Sequence, residues 1–158
     1  MYQRILVPFD GSPTSTRGLD EALELAKLTA ARVRLIHVVD ALAFANGFEP
    51  YAAYANDLIP LMRAAGTQVL EQGRARAAAA GVAVETALPD TLSGRVADLV
   101  VDEARSWAAD LIVIGTHGRR GVHRMMMGSD AEQILRVAPV PVLLVRAPES
   151  AGTSVDKG

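Results

Sequence analysis

The chain reads as an α/β protein: one domain built on an open, parallel sheet of five strands with helices on both faces. Two observations predict this. Short apolar runs of strand length alternate with longer segments whose apolar residues recur at helical spacing. Glycine, proline, serine and aspartate collect at the joins, where turns and helix caps require those residue types. A length of 158 residues suits a single domain with one sizeable core.

Arg4 to Phe9 reads as the first, buried strand, closed by the turn cluster Asp10-Gly11-Ser12-Pro13, whose serine and proline also suit a helix start. Helix one runs from about Thr14 to Ala31, with Leu19, Leu23, Ala26 and Ala30 on one face. Val33 to Val39 is the second strand. Ala41 to Pro60 holds Gly47, Pro50 and Pro60 without a clean period, so an irregular excursion with room for a helical turn is expected there. The Ala, Leu, Arg and Gln content of Leu61 to Ala80 favours a second helix, stopped by Gly81. Val82 to Leu88 is the third strand. Thr91 or Ser93 is placed to cap a helix carrying Val96, Leu99, Val100, Ala104 and Trp107. Leu111 to Ile114 is the fourth strand, and a loop leads from it to a short last helix ended by Pro139 and Pro141. Val142 to Val145 is the fifth strand. The domain is expected to span 1–147, with 148–158 a polar flexible tail.

Composition narrows the function. Sixteen basic against eighteen acidic residues leave a formal charge of −2, which argues against a nucleic-acid binder relying on bulk positive charge. With no cysteine there is no disulfide scaffold, thiolate metal site or cysteine nucleophile. The chain enters its first strand without the apolar segment of a signal peptide, and no apolar run reaches membrane-spanning length, so a cytoplasmic protein with no membrane partner is expected. P-loop, nucleophile-elbow and dinucleotide fingerprints are all missing from the sequence.

The most informative stretch joins the fourth strand to the last helix through a basic loop punctuated by glycine. Gly115 and Gly118 permit close approaches that a Cβ would obstruct. Nine residues later come Gly128 and Ser129, with Ser129 a suitable N-cap. Free backbone N–H groups and the positive helix end favour an anion, so Gly128-Ser129 reads as a phosphate seat. Taking the strand order as 3-2-1-4-5, the topological switch lies between strands one and four, beyond whose carboxyl ends ligands bind in such sheets. Pro8, Asp10, Gly11 and Ser12 then face Gly115 and Gly118 across one crevice. The same order leaves strand five on an edge. Its run Val142, Leu143, Leu144, Val145 has little defence, which predicts pairing with its own copy in a two-fold homodimer.

The spacing G-x-x-G, nine residues, G-S, after a strand and opening a helix, resembles the nucleotide-binding signature of the universal stress protein family. RILVPFDGS (4–12), VRLIHVVD (33–40) and the run ending in VLLVR (142–146) resemble that family's first, second and last strands. The likeness covers nearly the whole chain, least between Ala41 and Pro60 and after Arg146. It implies an ATP-binding, homodimeric stress-response protein that signals nucleotide occupancy to a partner. It also implies nucleotide contact for Asp10 and adenine packing for Val38. Each has a structural alternative: an Asx-turn or helix cap for Asp10, ordinary strand filling for Val38.

Other candidates carry two readings as well. Arg119 adjoins Gly118 and is the preferred phosphate partner among Arg119, Arg120, His123 and Arg124; a solvated basic loop is the alternative for each. His117 lies inside the motif and is placed to touch nucleotide, whereas His37 reads as a satisfied sheet residue. Met125, Met126 and Met127 suit core or dimer packing, or an adaptable lid. Asp98 and Asp102 share a helical face, most simply a solvated pair.

Asp130 departs from the family, which more often has an apolar residue after the Gly-Ser pair. At about 5 Å from a phosphate charge it would repel by roughly 1 to 3 kcal/mol for effective dielectrics between about 80 and 20. A helix terminus returns only about 0.3 to 1 kcal/mol. Asp130 must therefore point away or share a divalent cation such as Mg2+ with the phosphates, unless it serves only to stabilise the helix's positive end. No catalytic base is assigned. Slow ATP hydrolysis by a water near Asp130, His117 or His123, and a nucleotide-free interaction module, stand as the two alternative functions.

Overall fold

The computed structural model describes residues 1–40, 51–91, 94–116 and 129–146. Five strands form one parallel sheet: β1 (Arg4–Pro8), β2 (Arg32–Ile36), β4 (Val84–Ala87), β6 (Leu111–Thr116) and β7 (Val142–Arg146), in the order β4-β2-β1-β6-β7. This is the expected topology, with β1 and β6 adjacent at the centre. The sheet is covered on one side by α1 (Pro13–Thr29) and α2 (Tyr51–Ala79), and on the other by α3 (Val96–Ser106) and α4 (Ser129–Val137).

The period-two alternation of the strands sorts the core into two halves. Ile5 and Val7 of β1 join Leu111 and Val113 of β6 beneath Leu19, Leu23 and Leu70. Leu6, Ile112 and Ile114 point the other way, toward Val100, Trp107 and Ile134. Both faces of the central strands are apolar because both are covered by helix. At the β4 edge, Glu85 pairs with Arg32 and Arg34, while Arg34 also reaches Glu103 and lies 4.7 Å from the centre of the Trp107 ring.

Several boundaries differ from the sequence reading. The second helix begins at Tyr51 and runs through Pro60 instead of starting after it. Pro60 is exposed, so water can replace the hydrogen bond its missing N–H removes, and Leu70 and Ala77 anchor the rest of the helix in the core. The remainder of the expected excursion, 41–50, lies outside the described residues. Strand two ends at Ile36, and Ala30 is a left-handed C-cap (φ 56°), not part of the helical face. The cap of α3 is Arg95, without a side-chain capping bond; Thr91 instead sits in a short strand, and Ser93 lies outside the described residues. Gly81 does stop α2, at φ +77°, where Val82 N–H returns to Ala77 O at 2.9 Å.

The unforeseen element is a second, two-stranded parallel sheet of β3 (Val39–Asp40) and β5 (Asp90–Thr91). Beyond the end of β2 the chain keeps bonding to the β4 side, His37 N–H to Ala87 O at 3.1 Å and Val39 N–H to Pro89 O at 3.0 Å. That continuation carries Asp40 past the main sheet to the rim where β1 and β6 end. The expected tail, 148–158, lies outside the described residues.

Candidate functional site

Where β1 ends, Phe9 N–H bonds to Ile36 O at 2.9 Å and Phe9 packs into the core, which leaves Asp10 at the rim. Asp10 turns the chain by accepting the Ser12 N–H on its Oδ1 at 2.9 Å, an Asx-turn, and Gly11 takes φ +78° to complete it. Ser12 caps α1: its Oγ accepts the Ser15 N–H at 3.2 Å and Pro13 opens the helix. Ser15 Oγ donates back to Ser12 O at 3.1 Å and accepts Asp10 N–H at 3.3 Å. The turn is thus held by its own side chains.

Across from it, β6 brings up Gly115. A Cβ there would stand 1.7 Å from Thr14 O, and one on Gly18 would stand 2.7 Å from Gly115 N. The close approach that requires glycine at 115 is therefore made by the first turns of α1 seated on the end of β6. That packing is what brings the Asp10 turn against β6.

The result is a cleft of about 430 Å³ at the switch point. Pro8, Asp10 and Ser12 line it from the β1 side, Val38 from beyond β2, and Gly115, Ser129 and Asp130 from the β6–α4 side. Its floor is apolar, formed by Ile36, Val96, Val100, Ile114 and Ile134. Of the expected site residues that the structure describes, Gly11 alone does not line the cleft. Ser129, expected as the N-cap, is the first helical residue of α4. Gly128, His117, Gly118 and Arg119 lie outside the described residues, as do Arg120, His123, Arg124 and Met125 to Met127.

Among the polar lining residues, Thr14, Ser15, His37 and Asp40 were absent from the sequence reading of the site. His37, expected as a satisfied sheet residue, is satisfied, its Nδ1 lying 2.9 Å from Phe9 O, yet it stands one residue beyond β2 and lines the cleft. Thr14 joins from the first turn of α1 and Asp40 from β3. Asp40 was legible in principle, since it ends a strand at its carboxyl side as Asp10 does. Gly18, within an otherwise helical run, was the available sign of the close α1–β6 seat.

The cleft carries three carboxylates, Asp10, Asp40 and Asp130, and no lysine or arginine among its described lining residues. They behave differently. The protein packed around Asp10 raises its carboxyl, but hydrogen bonds from Ser12 and Ser15 and the nearby His37 outweigh this and hold it below the ordinary aspartate value. Burial, then the charges of Asp40 and Asp10, push Asp130 above it. Asp98 and Asp102 do not line this cleft, and Asp102 faces Arg105 at 3.9 Å. Among the described residues no group of three or more histidine or acidic side chains is arranged to hold a metal ion, so a divalent cation here would need oxygens from its ligand.

An open parallel sheet with helices on both faces and a cleft at the switch of its strand order defines an α/β protein of the doubly wound architecture. The model of the universal stress protein family matches residues 1–146, and the chain belongs to that family. A universal stress protein of Methanocaldococcus jannaschii is 34% identical over 94% of this chain and 85% of its own length. The crystal structure of a family member from Burkholderia pseudomallei is 35% identical, with a TM-score of 0.70 over 92% of this chain and 97% of that one. A universal stress protein from Archaeoglobus fulgidus, solved in complex with dAMP, shares the fold at 23% identity and a TM-score of 0.63, over 91% of this chain and 98% of its own.

Proposed function

We propose that the chain is an ATP-binding protein that holds the nucleotide in the cleft between β1 and β6 and signals its occupancy to a partner in a cytoplasmic stress response. One observation carries this reading: the Asp10 turn and the N-terminus of α4, far apart in sequence, open onto the same cleft at the strand-order switch. The apolar floor suits a base. Val38 packs against adenine, and Asp10, already ionised and oriented by its turn, accepts ribose hydroxyls. The first N–H groups of α4, at Ser129 and beyond, donate to phosphate with the helix dipole behind them. His117, Gly118, Arg119 and Gly128, which lie outside the described residues, are the remaining candidates for phosphate contact. Mg2+ would travel with the phosphates and neutralise their charge. The dAMP carried by the Archaeoglobus protein belongs to that protein; it makes adenylates the first class to test here.

The homodimer is part of the same proposal. Among the described residues β7 pairs only with β6, and Leu143 is 36% exposed on this outer strand, so a copy of β7 is the natural cover for Val142 to Val145. No helix among the described residues is long and apolar enough to cross a membrane.

Calorimetric titration with adenosine, AMP, ADP and ATP, with and without Mg2+, tests the reading. Adenine nucleotides should bind and Ser129→Ala should weaken ATP while the fold is retained. A wild-type protein that binds none of them leaves the interaction-module alternative. Phosphate release in a single turnover separates binding from slow hydrolysis.

A further inference from the structure

Asp130 is the one charged residue that α4 places in the cleft, and the other carboxylates among the described lining residues are those of Asp10 and Asp40. Asp10 reaches the cleft from the end of β1 and Asp40 from β3; His37 is the remaining titratable group on the described lining, and α3 contributes only Val96 and Val100. Burial, Asp40 and Asp10 all make ionisation of Asp130 harder. A carboxylate in this position cannot be indifferent to an anionic ligand seated on the same helix end. Its repulsion scales with the charge of the ligand and is absent for an uncharged nucleoside.

We propose that Asp130 is the charge-discriminating residue of the cleft: its carboxylate, sharing the cavity with Asp10 and Asp40, ranks adenylates by the net negative charge of their phosphate tails. The inference rests on the nucleotide reading above. The nucleoside is held without this penalty, the monophosphate with a smaller one than the triphosphate, and each further uncomplexed phosphate adds to it. A triphosphate is admitted best as its Mg2+ complex, whose net charge is lower. Comparing wild type and variant on one and the same ligand isolates the contribution of Asp130.

Calorimetric affinities for adenosine, AMP and ATP are measured in EDTA, and for ATP again in Mg2+, on the wild type, Asp130→Asn and Asp130→Glu. Circular dichroism confirms that each variant is folded. Asp130→Asn should leave adenosine within about twofold, tighten AMP slightly and tighten uncomplexed ATP about fivefold or more. Mg2+ should shrink the gain for ATP, and Asp130→Glu should keep the wild-type ranking. Equal changes for adenosine and ATP, no change for either, or a glutamate variant that behaves like the asparagine one would overturn the inference and leave nucleotide binding standing. A wild-type protein that binds ATP but not AMP would overturn the inference alone; one that binds none of adenosine, AMP and ATP would sink the nucleotide reading, and this inference with it.

Discussion

At the scale of single residues, backbone contact separates Gly18 and Gly115 from the other described glycines, and Gly115 is the tighter of the two. Gly115 faces a carbonyl oxygen that cannot rotate away, so Gly115→Ala should destabilise the protein by about 3 kcal/mol or more, read from urea unfolding. A loss below about 1 kcal/mol would show that α1 can lift from β6. Ser12 contributes a capping bond, and Ser12→Ala should cost about 1 kcal/mol by the same measurement. Glu85 sets a pH dependence. The hydrogen bond from Arg34 lowers its carboxyl most, burial opposes this, and Arg32 lowers it further. The stabilisation is therefore present above its unfolded value, near 4.5, and is lost as pH falls through the depressed folded value. Glu85→Gln should lose stability at neutral pH and flatten the acid limb of the stability curve; an unchanged acid limb would remove this assignment.

At the scale of elements, apolar periodicity located the five main strands and the helices because burial forces that periodicity, whereas their ends depended on tertiary partners. Val39 reads as the continuation of a strand, yet the strand breaks at His37 and Val39 pairs with Asp90. Pro60 reads as a helix boundary, but it is only one residue of a 29-residue helix whose packing outweighs a missing N–H. Gly66 and Gly73 of α2 were passed over in the sequence. A Cβ on Gly66 would meet His37 at 2.9 Å and one on Gly73 would meet Leu35 at 2.5 Å, so both let this helix lie close to the sheet. The outer edge of β7 carries the dimer proposal. Sedimentation should show a dimer for the wild type and a monomer for Leu143→Asp, whose charge would be buried on pairing. A wild-type monomer at micromolar concentration would rule out that use of the edge.

At the scale of the whole molecule, ligand binding and folding are linked. A nucleotide that binds only the folded cleft should add about 2.7 kcal/mol of stability at about 100 times its dissociation constant. Thermal unfolding with ATP and Mg2+ measures this directly, and an unchanged midpoint at saturating nucleotide would contradict binding. The effect should vanish first in variants of the α4 end and the Asp10 turn, since both must be in place for the cleft to exist.

From sequence alone came the α/β class, the strand count of the main sheet, the turn chemistry of Asp10-Gly11-Ser12-Pro13 and the glycine-serine signature, because each is written in local periodicity or in the conformational demands of a few neighbouring residues. Only the tertiary structure decided that Gly115 is required by the seat of α1, that β3 carries Asp40 to the rim, and that three carboxylates share one cavity. Those outcomes depend on which residues, remote along the chain, are pressed together by packing, and local pattern holds no record of that.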